Sequence, residues 1–149
     1  MLDWFRDNDR NVYKTAVATL AQSRKLRPVF VQKKPLPEQY AWIQKTLCLK
    51  TSETIGEHLM QAWLMAGKQD MLALFCDEMG IEHDGKGSVT GDLPEEFDAA
   101  KLDAAVDALC AQFDHQTVSV YLRFFNLQQS GGWPVLDAKL ESDERLKLG

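Results

Sequence analysis

Residues 51–80 read TSETIGEHLMQAWLMAGKQDMLALFCDEMG, and the spacing of their apolar residues decides the fold class. Ile55, Leu59, Ala62, Trp63 and Ala66 recur at steps that share one helical face. Met60 and Leu64 widen that face, which predicts a helix packed on two sides. Thr51 or Ser52 offers a side-chain oxygen to cap its start, and Gly67 stands where a left-handed C′ residue would end it. A second helix is expected from Gln69 to Met79, with Leu72, Phe75, Cys76 and Met79 on one face and Met71 and Leu74 alongside, stopping at Gly80.

A similar pattern returns 46 residues later. One helix is expected from about Asp98 through Leu102, Ala105, Val106, Leu109, Cys110 and Phe113. Another is expected from about Asp114 to Gln128, through Val118, Tyr121, Leu122 and Phe125. Under that shift Ala62 meets Ala108, Leu72 meets Val118, Phe75 meets Tyr121, Ile81 meets Leu127 and Gly85 meets Gly131. The period falls in the range of HEAT-like helical repeats, although two unrelated amphipathic hairpins would share much of the same pattern. Two copies are too few for an open solenoid. The expectation is therefore an all-α, compact bundle of about six helices around two tandem hairpins, in one domain covering residues 1–149.

The flanks extend that bundle. Asn8 or Asp9 can cap a first helix reaching about Lys25, with Val12, Tyr13, Ala16, Val17 and Leu20 as its stripe. Pro28 blocks its continuation. Val29, Phe30 and Val31 favour strand geometry, and Pro35 and Pro37 hold the chain open, so residues 27–37 read as an extended arm. Pro37 then starts a helix carrying Tyr40, Ile43 and Leu47. Residues 81–96, IEHDGKGSVTGDLPEE, form the longest irregular stretch, in which Asp84-Gly85 suits a short hairpin. Residues 129–149 should be a tail with a short helix opened by Pro134.

Charge is unevenly spread. The net charge is −5, yet residues 1–50 hold ten Lys/Arg against four Asp/Glu, and residues 51–149 hold seven against eighteen. Such polarity bears on partners rather than on fold. Hydrophobic residues at 45% and charged residues at 26% suit a folded globular chain. No apolar run approaches the length of a membrane span, and the first residues, MLDWFRD, lack the apolar core of a signal peptide. Cys48, Cys76 and Cys110 are odd in number and widely spaced, which suits small core hydrophobes in a reducing, cytoplasmic setting.

Chemical motifs fail on strict positions. Asp84 to Glu95 has the outline of a calcium loop, but Lys86 and Val89 stand where an oxygen ligand and a glycine are required. Gly80-x4-Gly85-Lys86 resembles part of a phosphate loop, but Gly87 follows where a Ser or Thr hydroxyl is needed. Glu82-His83-Asp84 is the one dense group of ligand-type residues, with no spacing that demands a metal. No catalytic residue, cofactor or metal site is assigned.

The expected function is a non-catalytic interaction or scaffold module that binds another protein. Its candidate contacts are Arg24, Lys25, Arg27, Lys33, Lys34, Glu82, His83, Asp84 and Trp133. Two alternatives stay open: nucleic-acid contact through residues 24–34, and an enzyme or small-ligand carrier assembled around residues 81–96.

Overall fold

The computed structural model describes residues 1–148, and every regular element among them is helical. Backbone contacts divide the chain into two compact units, Met1–Trp63 and Leu64–Gly149.

The first unit contains α1 (Leu2–Asn8), α2 (Arg10–Ser23), α3 (Pro28–Gln32), α4 (Leu36–Leu47), a 3-10 turn (Lys50–Ser52) and most of α5 (Glu53–Gly67). The helix expected from Asn8 to Lys25 is α2, and a further short helix, α1, precedes it. Asp9 Oδ1 accepts the Val12 amide at 3.2 Å and starts α2, while the Asp9 amide donates to the Phe5 carbonyl and closes α1. The short α1 is held by Leu2 and Phe5, one turn apart and both buried. Asp3 near its start and Arg6 near its end complement the helix dipole. Leu2, Val17, Leu20, Ala21, Val31 and Ile43 make one apolar cluster of this unit; Phe5, Ala16 and Leu59 make another.

Two local expectations in this region are corrected. Ser52 does not cap α5: its hydroxyl is buried without a hydrogen-bond partner, in the 3-10 turn. Gly67 is the last residue of α5 and not a left-handed cap, since the positive-φ glycines lie elsewhere.

The extended basic arm is also corrected. Residues 28–32 form the one-turn helix α3. Pro28 presets the first φ angle, and Arg27 before it is extended, as a residue preceding proline prefers. An isolated strand would leave its amides and carbonyls without partners, whereas one helical turn satisfies them locally. Phe30 N–H donates to Arg27, Lys33 N–H to Val29 and Lys34 N–H to Val31. Burial of Val31 then decides the matter, because strand preference is weak against tertiary packing.

The second unit contains α6 (Gln69–Met79), α7 (Ala99–Gln112), α8 (His115–Asn126), α9 (Pro134–Ser142) and a 3-10 turn (Glu144–Leu146). Asp98 caps α7 by accepting from Ala100 and Lys101, and Asp114 caps α8 by accepting from Thr117. Gly80 closes α6 at φ +67, with the Ile81 amide reaching back to the Cys76 carbonyl. The core is built from Leu72 and Phe75 of α6, Leu102, Val106 and Leu109 of α7, Val118 and Leu122 of α8, and Leu136 and Leu140 of α9.

The most extensive helix packing in this unit is α6 against α7, the pair that would join two tandem hairpins rather than form either one. The echo is also uneven at its ends: Ile81 is buried, while its counterpart Leu127 is 71% exposed.

Candidate interaction surface

The basic stretch is organised by the end of α2. The Lys25 amide donates to Gln22 and the Leu26 amide to Ala21, which is the double bond pattern of a Schellman ending. Lys25 sits at the left-handed position, φ +57, where glycine is the unstrained choice. Leu26 then folds back onto the cluster that contains Ala21. The chain turns there, Arg27 caps α3, and Lys33 ends it.

One position on α3 faces the core and two face outward. Val31 is fully buried, whereas Val29 is 46% and Phe30 52% exposed. The Lys34 ammonium lies 4.8 Å from the centre of the Phe30 ring, within reach of a cation–π attraction. Gln39 of α4 secures the back of the segment. Its amide nitrogen donates to the Gln32 carbonyl at 3.1 Å and the Lys34 carbonyl at 2.8 Å, and its oxygen accepts from Tyr13. Gln39 was invisible as a positioning residue in the sequence, because its partners come from two other elements.

Arg24, Lys25, Arg27 and Lys33 are exposed and Lys34 is half-buried. None of these five takes part in an ion pair among the described residues. The sequence explains why: no Asp or Glu lies between Asp9 and Glu38, a span holding seven Lys/Arg.

The loop at residues 81–96 is internally satisfied. Its hairpin reduces to one antiparallel bridge, His83 with Val89. His83 Nδ1 accepts from the Gly85 and Gly87 amides at 3.1 and 3.3 Å, which assigns the ring proton to Nε2. Nε2 then donates to Asp77 Oδ1 at 2.6 Å. Asp84 Oδ1 accepts from the Lys86 and Ser88 amides at 2.8 and 3.2 Å, and these donors hold its carboxyl below the usual carboxylate range. The four amides that a phosphate loop would offer an anion are thus already used by two side chains of the loop itself. Glu82 and Asp84 are exposed, while the His83 side chain retains 11% exposure.

The two glycines of this loop do different work. Gly85 and Gly87 both have φ +85, but a Cβ on Gly85 would meet nothing within 4 Å. A Cβ on Gly87 would lie 2.1 Å from Leu72 Cβ and 2.6 Å from the Leu72 carbonyl carbon. The loop therefore rests directly on the α6 backbone. No group of three or more His, Cys, Asp or Glu among the described residues is arranged to hold a metal ion.

Trp133 is the clearest departure from expectation. It is fully buried, so it offers no contact surface. Its ring stacks on Phe97 at 4.5 Å between centroids and 9° between planes, and on Phe125 at 5.4 Å. Its indole N–H donates to the Pro94 carbonyl at 2.9 Å, and its backbone N–H donates to Asn126. A tryptophan next to Gly131-Gly132 reads as a loop residue in sequence. Partners up to 39 residues away turn it into a core residue.

Each unit also carries a shallow groove. One of about 450 Å³ runs between α2 and α5, lined by Val12, Thr15, Ala16, Ile55, His58 and Leu59. One of about 430 Å³ lies between α7 and α9, beside Leu102, Val135 and Ala138. His58 lies on the first groove without a carboxylate or thiol among its lining residues. Cys76 is fully buried, and burial pushes its thiol up to about 11. No helix among the described residues is long and apolar enough to cross a membrane. In comparisons with known proteins, no family model, curated protein or solved structure matches this chain.

Proposed function

We propose that the chain is a non-catalytic helical interaction module that binds another protein through α3 and its basic flanks. The observation that carries this reading is Val29 and Phe30, both exposed, amid five cations without ion-pair partners among the described residues. An exposed aromatic among arginines and lysines has the composition of an interface centre with a steering rim. Gln39 and the Schellman ending hold the segment in place before any partner arrives, which lowers the ordering cost of binding. The HEAT-like pairing of residues 51–128 would supply a scaffold; matching left-handed Gly85 and Gly131 support it, and the α6–α7 packing weighs against it. Three free cysteines fit the reducing, cytoplasmic setting that this reading assumes.

Nucleic-acid contact through residues 24–34 is the second reading, and the same unpaired cations favour it. A site around residues 81–96 is a weaker third, because that loop spends its amides internally. Affinity capture from the source cells at moderate salt, with wild type beside a Val29→Ser/Phe30→Ala variant, tests the first reading. Proteins enriched by wild type and lost with the variant are expected. An unchanged protein set, or enrichment abolished by nuclease, would refute it.

A further inference from the structure

We infer that the occupant of α3 is an acidic protein segment bearing an apolar anchor residue, which packs beside Phe30 while its carboxylates meet the surrounding cations. The inference rests on the protein-binding reading and narrows its partner chemistry.

Charge complementarity sets the sign. Residues 10–37 contain seven Lys/Arg and no Asp or Glu, so the segment's own charge favours a negative partner. Arg24 and Arg27 can each take a carboxylate in bidentate fashion, and Lys25, Lys33 and Lys34 act as point charges. The apolar requirement comes from Val29 and Phe30, which a purely acidic chain would leave wet.

The Phe30 ring bears on the class of occupant. Nucleobases bind aromatic residues through the ring face, and Lys34 lies over one face of that ring at 4.8 Å. A five-residue helix with two exposed apolar side chains is also far shorter than the amphipathic helices that lie in membrane interfaces.

The test is selection from a displayed random dodecapeptide library against the full chain. A counter-selection uses the Arg27→Glu/Lys33→Glu/Lys34→Glu variant. Enrichment of Asp/Glu-rich peptides containing Leu, Phe, Trp or Ile is expected. A synthetic winner should lose about tenfold or more in affinity on Phe30→Ala, as central aromatic anchors do. It should also weaken steeply with salt. Circular dichroism and urea midpoints of both variants control for folding, since the altered side chains lie outside the core. Basic or neutral peptides that depend on Phe30 would overturn the acidic partner and leave protein docking standing. Peptides indifferent to both variants would overturn docking at α3 altogether. Oligonucleotide or phosphatidylserine-vesicle binding that needs Phe30, with no peptide enriched, would overturn both readings.

Discussion

Replacing Gly87 with alanine is expected to be among the most damaging single-methyl changes available in this protein. Two costs combine. A non-glycine residue at φ +85 pays roughly 1–2 kcal/mol for the left-handed conformation. The new methyl would also stand 2.1 Å from Leu72 Cβ and 2.7 Å from the Ala73 amide nitrogen, and a helix backbone cannot step aside as a flexible side chain could. Overpacking of this kind costs about 1–3 kcal/mol. Lifting the loop off α6 to relieve it would strain the His83 bond to Asp77 and the Cys76 thiol's contact with the Gly87 carbonyl, so the total should fall near 3–5 kcal/mol. Gly85→Ala is the matched control, with the same φ and open space around it, and should cost only about 1–2 kcal/mol. Urea unfolding of both variants, followed by circular dichroism, measures the difference directly. Equal losses for the two, within about 0.5 kcal/mol, would mean that the loop is not seated on α6.

Three further outcomes follow from the same structure. Trp133→Ala should destabilise by about 3–5 kcal/mol in thermal or urea melts, and the surviving folded fraction should bind an α3 peptide as wild type does, because the ring is buried. Lys25→Gly should raise the urea midpoint by the equivalent of about 0.5–1 kcal/mol, since it relieves φ +57 at the end of α2; a fall would contradict the left-handed geometry. Burial, helped by the bond from its hydroxyl to Asp3, pushes Tyr40 up to about 12 from the usual 10. A raised value means the folded state keeps the proton longer, so this contribution is whole below pH 10 and fades as pH rises towards 12. Tyr40→Phe should flatten that part of the stability profile, and an unchanged alkaline slope would count against the Asp3 contact.

Much of the helical layout was legible because its causes are local. Asp9, Asp98 and Asp114 start helices with a side-chain oxygen within three residues, and Gly80 and Pro134 act through their own backbone geometry. The candidate surface was half legible. The run of bases between residues 24 and 34 is plain in the sequence, and so are the apolar residues among them.

Which of those apolar residues turns outward was decided only in three dimensions. Val29, Phe30 and Val31 are three strand-favouring residues in a row, and nothing local separates them. Once α3 winds as a helix, Val31 drops into the cluster of Leu20 and Ile43, and its two neighbours remain outside. Trp133 shows the converse, since Phe97, Phe125 and the Pro94 carbonyl draw a residue with loop-like neighbours into the core. The sequence by itself determined that the chain is helical and where its positive charge gathers, because periodicity, capping and charge are properties of neighbours. Tertiary structure decided which aromatic residue is displayed and which is enclosed. Burial depends on partners dozens of residues away, and no short window of sequence contains them.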